Sequence, residues 1–162
     1  MMKFIDSRAI AELLERARSA RRRRANLNIH AGEADPIQRF LNAAEPDTYA
    51  RPHRHAFSRW ELFLVLRGAA DYLIFDEAGR VTERVSLVAD GSLVEIPGAC
   101  WHSVAVRMPE TLLLEVKPGP YDPRTDKEFA SWAPPEGHEA APACQAWLTS
   151  AAIGDKWPGL TT

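Results

Sequence analysis

With 162 residues, 46% apolar and 26% charged, the chain can bury one proper core but is too short for two comfortable domains. A net charge of −2 removes the long-range attraction that nucleic acid or an anionic membrane surface would need, and no apolar run approaches the roughly 20 residues of a bilayer span. Cys100 and Cys144 form neither a CxxC pair nor a disulfide framework, and the N-terminus has no leader-like pattern, so a cytoplasmic protein is expected.

Asp6 or Ser7 can cap a helix whose Ile10, Leu13, Leu14 and Ala17 follow helical spacing. This helix is expected to run into Arg21-Arg22-Arg23-Arg24, where cations suit the negative pole of its dipole and a solvated helix end outweighs a nucleic-acid patch. From Ala25 onward short strands take over. Leu27 and Ile29 alternate with polar neighbours, Asp35-Pro36 makes a turn, and a strand is predicted over 37–44. After the Glu45-Pro46-Asp47 turn comes an extended approach to Arg51-Pro52-His53-Arg54-His55. Strands are then predicted over 61–66, 69–75, 80–88, 92–96, 103–106 and 111–116, with turns at Gly68, 76–79, Asp90-Gly91 and Pro97-Gly98. About nine short strands at this spacing point to an all-β barrel or sandwich. Beyond Lys117, five prolines (118, 120, 123, 134 and 135) make a rigid, irregular segment that Trp132, Trp147 and Trp157 can anchor, and a short helix is expected over 140–152. The resulting division is an N-terminal helix over 1–24, a barrel over 25–122 and a C-terminal extension over 123–162.

Four side chains carry the chemistry. In an extended segment His53 and His55 point the same way while Arg54 points oppositely. Glu61 opens the neighbouring apolar strand, and His102 follows the Pro97-Gly98 turn. Three imidazoles and one carboxylate make a divalent transition-metal site with positions left for water or substrate. Fe, Mn, Ni, Co, Zn and Cu all accept such ligands. Structural zinc prefers thiolates and a closed tetrahedron, so a reactive or ligand-binding metal is expected.

The spacing His53-x-His55, five residues, Glu61, six residues, Gly68 resembles the first motif of the cupin superfamily; Gly91, five residues, Pro97, four residues, His102 resembles its second. The usual glycine three residues before the last histidine is Ala99 here, and the asparagine often found four residues after it is Val106. More narrowly, Asp35-Pro36-Ile37-Gln38-Arg39, Arg51-Pro52-His53-Arg54-His55, Trp60-Glu61 and the stretch 115–123 resemble the WbuC family of cupin-fold metalloproteins, a likeness that reaches roughly to Trp132. The resemblance implies a jelly-roll barrel with one metal ion in its mouth and an association with polysaccharide biosynthesis. It leaves open an isomerase or epimerase, a dioxygenase, and a binding or sensing module without turnover.

Secondary candidates surround the quartet. Glu115 and Lys117 share one strand face, opposite Leu112, Leu114 and Val116, and are candidate catalytic residues if that face is the lumen. His30 is a candidate acid or base, with a structural hydrogen-bonded role the simpler reading. Gln38, on the face of Phe40 and Asn42, and Tyr72 are candidate substrate-binding residues; Cys100 is a small buried thiol before it is an extra ligand. Three neutral histidines, one carboxylate and a divalent ion sum to +1, so the expected partner is an anionic or hydroxylated small molecule. The outward set Leu62, Leu64 and Leu66 further suggests a homodimer through an outer sheet face.

Overall fold

The computed structural model describes residues 2–159. Helix α1 (Ser7–Ser19) leads into β1 (Arg24–Asn28), β2 (Ile37–Ala44), β3 (His53–Arg54), β4 (Glu61–Arg67), β5 (Ala69–Phe75), β6 (Val81–Val88), β7 (Leu93–Ile96), β8 (Trp101–Val106), β9 (Thr111–Pro118) and β10 (Glu128–Phe129), and the chain closes on α2 (Ala141–Ser150). Two five-stranded sheets, in the orders β1-β2-β9-β4-β7 and β10-β3-β8-β5-β6, make the expected all-β barrel. No helix among the described residues is long and apolar enough to cross a membrane.

Strand alternation sorts the side chains into three apolar layers. Phe63, Val65, Ala70, Tyr72, Leu87, Ile96 and Leu113, drawn from both sheets, fill the space between them. On the outer face of the first sheet, Leu41, Ala43 and Leu112 meet Leu13, Leu14 and Ala17 of α1. The periodic apolar stripe of α1 is therefore what covers that sheet, and Asp6 Oδ1 caps the helix by accepting from the Ala9 N–H at 2.8 Å. On the outer face of the second sheet, Leu73, Phe75, Trp101 and Ala105 meet Ala141, Cys144, Leu148 and Trp157 of the C-terminal extension. Strand β5 is thus covered on both faces, which is why it reads as a nearly continuous apolar run. Gly68 joins β4 to β5 at φ 79°, where a side chain would strike Thr111.

Two expectations are corrected. Helix α1 does not run into the arginines: it stops at Ser19, Ala20 is extended, and Arg24 already belongs to β1. Nor are the arginines merely a solvated helix end, because Arg22 and Arg24 both pair with Glu136 of the extension and Arg23 pairs with Asp47. The Pro-rich segment is not wholly irregular either. Its Glu128–Phe129 pairs with β3, the partner being available only once the barrel has formed. Its tryptophans pack as expected, with Trp132 5.2 Å and Trp147 6.2 Å from the Phe75 ring, and Trp157 5.7 Å from Trp147. Pro142 sits in the first turn of α2, where its missing N–H costs nothing. Arg84 closes the other end of that helix, donating to the Leu148 and Thr149 carbonyls while paired with buried Asp71.

Candidate metal centre

His53, His55, Glu61 and His102 each offer a ligand atom, and these atoms all lie within 4.8 Å of one another in the buried lumen. Backbone register brings them together. His53 on β3 faces His102 on β8 as a ladder pair, and Glu61, at the start of β4, comes in from the opposite sheet. The loop after β7 holds the arrangement closed. Gly98 passes so near the Ala56 and Phe57 carbonyls that a side chain there would collide with backbone, and the Ala99 N–H donates to the His55 carbonyl at 2.9 Å. Ala99 itself sits at φ 64°, so the alanine standing where the cupin motif usually has glycine keeps a left-handed backbone.

The three rings are oriented by main-chain carbonyls. His53 Nδ1 donates to the Arg51 carbonyl at 2.9 Å, His102 Nδ1 to the Cys100 carbonyl at 2.9 Å, and His55 Nδ1 to the Asp126 carbonyl. A carbonyl can only accept, so in each neutral ring the proton is on Nδ1 and the bare lone pair is on Nε2. Glu61 is 3% exposed, and its oxygens lie 3.0 Å from His55 Nε2 and 2.8 Å from His102 Nε2. Neither contact has hydrogen-bond geometry: His55 Nε2, His102 Nε2 and Glu61 Oε2 are all buried without a partner. Lone pairs facing one another at this distance repel unless a cation lies among them. The donor set therefore fits a divalent transition metal, with the Nδ1 contacts as its supporting shell.

Burial, and after it the charge of Lys127, hold His53 well below the ordinary imidazole range. The folded state thus binds fewer protons at His53 than the unfolded chain does. Metal-free protein is expected to be most stable above about pH 6.5, the ordinary histidine value, and to weaken as pH falls below it. A melting temperature that stays level from pH 7.5 to pH 5 would contradict this.

A second polar group adjoins the quartet. Lys117 Nζ is 3.6 Å from Glu61, 3.6 Å from Glu115 and 3.3 Å from Asp126. Burial opposes its charge, but Glu115, Glu61 and Asp126 together hold its pKa above the ordinary lysine value. Burial first, and the Glu61 charge next, raise the Glu115 carboxyl above its usual range against the pull of Lys117; Asn42 Nδ2 donates to it at 2.7 Å. The face shared by Glu115 and Lys117 is therefore lumenal, with Leu112 and Leu114 turned to α1. Both residues border a cavity of about 610 Å³ that also takes in His53, Glu61 and His102. Tyr72, 2% exposed, borders it as well, and its hydroxyl has no hydrogen-bond partner. Burial, with Glu115 and Glu61 behind it, keeps that phenol protonated and able to donate.

Gln38 and His30 border the same cavity with polar atoms already engaged. Gln38 Nε2 donates to the Glu33 and Asp35 carbonyls at 3.1 and 2.8 Å, anchoring the preceding loop, and His30 Nδ1 accepts from the Arg39 N–H at 2.9 Å. Cys100 enters through its carbonyl, not its thiol. Asp126 escaped sequence reasoning altogether. Its carbonyl aligns His55 while its carboxylate meets Lys117 and Arg59, yet it lies in a Pro-rich stretch with no periodicity to mark it.

Several solved structures share this fold. The protein TT1209 from Thermus thermophilus is 19% identical with a TM-score of 0.53, covering 72% of this chain and 97% of its own. A cupin 2 conserved barrel domain protein from Rhodopseudomonas palustris is 20% identical with a TM-score of 0.50, covering 65% of this chain and 66% of its own. The capsular polysaccharide assembling protein CapF from Staphylococcus aureus is 20% identical with a TM-score of 0.51 over 59% of this chain, which spans only 27% of that protein's length. At such identities the likeness is one of fold, and the fold is a cupin barrel. A search of curated proteins found no match. One family model, described as Domain of unknown function (DUF6016), matches residues 5–87, just over half of the chain.

Proposed function

Because the chain belongs to the DUF6016 family, a description that assigns no chemistry, we propose a function from the site itself. The protein is a cupin-fold metalloprotein that holds one divalent transition-metal ion on His53, His55, Glu61 and His102. It acts on a small hydroxylated, sugar-related substrate by isomerase or epimerase chemistry. The observation that carries the metal is the set of unpartnered Nε2 and carboxylate atoms at 2.8–3.0 Å, each imidazole proton being committed to a carbonyl. Kinship with the WbuC family is part of the proposal and rests on the motif residues quoted above.

A bound ion would polarise a hydroxy-carbonyl group and acidify the neighbouring C–H. The chain's own groups supply the rest. Glu115, with its raised pKa, is the acid or base that moves the proton, and Lys117 holds the charge balance as Glu115 changes state. Tyr72 offers its free hydroxyl to a substrate oxygen. His30 remains a secondary acid–base candidate and Gln38 a wall of the cavity. A second reading, a dioxygenase or a binding module without turnover, draws on the apolar Phe63, Val104 and Leu113 of the same cavity. Product formation from a hydroxy-carbonyl substrate without oxygen separates the two.

Elemental analysis of protein purified without added metal tests the central statement. About one transition-metal ion per chain is expected, and a metal-free, folded protein that takes up none on titration would refute it. Leu66, exposed on the outer sheet face beside half-buried Leu62 and Leu64, supports self-association as a further part of the proposal. Light scattering at working concentration should show a dimer, and a strict monomer counts against it.

A further inference from the structure

Most charges bordering the cavity are already matched: Glu136 takes Arg22 and Arg24, and Glu61, Glu115 and Asp126 share Lys117. Two cations there have no ion-pair partner among the described residues, Arg51 and Lys127. Arg51 precedes His53 by two residues, and both border the cavity. One corner of its guanidinium is fixed, Nη2 donating to the Ala130 carbonyl at 2.9 Å with the group 5.2 Å from the Phe129 ring centre. Its Nε is buried and has no hydrogen-bond partner. Lys127 stands exposed at the rim, close enough for its charge to act on both His53 and Glu115.

A buried guanidinium N–H left unpaired is costly, and a neutral sugar would not offset that cost as an anion does. We propose that Arg51, with Lys127 at the rim, forms a carboxylate-binding subsite beside the four-ligand cluster, so that the substrate is a hydroxylated carboxylic acid. Its carboxylate lies against the cavity-facing side of the Arg51 guanidinium, closing over the Nε that the free protein leaves unpaired, while its hydroxyl or carbonyl oxygens reach toward His53, Glu61 and His102. One guanidinium and one lysine suit a carboxylate; a phosphate dianion calls for a larger set of converging donors. The inference deepens the metalloenzyme reading and rests on it for what the rest of the substrate meets.

Calorimetric titration of gluconate, glucuronate and malate, against glucose and glucose 6-phosphate, tests the subsite. Wild type, Arg51→Met, Arg51→Lys and Lys127→Met are compared, with metal content and melting temperature read on every sample. At least one acid should bind the wild type. Its affinity should fall about 10-fold or more in R51M, in keeping with loss of a charged hydrogen bond, less in R51K, and about 2- to 5-fold in K127M with a dependence on salt. Bound metal should not change, because the Arg51 carbonyl that orients His53 survives substitution. Should R51M not fold, K127M at its exposed position decides the matter. A wild type that takes none of the acids, that takes glucose or glucose 6-phosphate as tightly, or whose affinity survives both R51M and K127M overturns the proposal. Loss of metal from the wild type would be a failure of the metal reading, recorded separately. Acid binding that persists in chelator-stripped protein, and still depends on Arg51, would uphold the subsite alone.

Discussion

Replacing His53 or His102 by alanine is expected to weaken metal binding by at least about 100-fold, a loss no smaller than supporting residues around a metal commonly cause. The barrel should stay folded. The His53–His102 ladder pairing is made by the backbone, and the deleted rings lie in the lumen, away from the layers that α1 and the extension cover. Deleting the His102 ring also removes a lone pair that faces Glu61 at 2.8 Å. In the metal-free state His102→Ala should therefore melt no lower than the wild type, and only with metal should the wild type pull ahead of both variants. Stoichiometric metal retained by both variants in elemental analysis would reject the site. A metal-free His102→Ala variant that melts far below the metal-free wild type would show that the ring hydrogen-bonds to Glu61 instead of waiting for a cation.

Lys117→Met should be the most destabilising single change in the cavity, by about 3–5 kcal/mol in urea denaturation of metal-free protein, the range for removing one partner of a buried ionic group. Lys117 is 4% exposed and is the one cation within 4 Å of Glu61, Glu115 and Asp126 together. Methionine keeps most of the volume, so the loss reports on charge more than on packing. With metal bound the penalty should shrink, since the ion then neutralises Glu61. The exposed pair Arg8–Glu12 offers the contrast: its disruption should change stability by less than about 1 kcal/mol. A Lys117→Met effect equally small would mean that Glu115 is protonated and that Arg59 suffices as the counter-charge of Asp126.

Much of the barrel was legible from local pattern. The predicted strand over 69–75 is β5, that over 37–44 is β2, and the helix capped by Asp6 is α1, because alternation, helical spacing and capping all act within a few residues. The four clustered donor residues were legible for the same reason. His53 and His55 share a face by strand geometry, and Glu61 and His102 stand at strand starts flanked by turn residues. The arginine run misled, because the partner of Arg22 and Arg24 is Glu136, more than a hundred residues distant.

What the chain determined on its own was most of the strands, their two-faced patterning and the four donor residues, all of them consequences of backbone periodicity. Only the tertiary structure decided that Glu115 and Lys117 face inward, that a Pro-rich segment supplies Asp126 to align His55, and that Arg51 keeps a buried N–H unpaired beside the histidine–glutamate cluster. Those facts depend on which carbonyl or carboxylate from a remote segment arrives next to each group. Burial, hydrogen-bond partners and pKa are properties of such juxtapositions, and no stretch of sequence carries them alone.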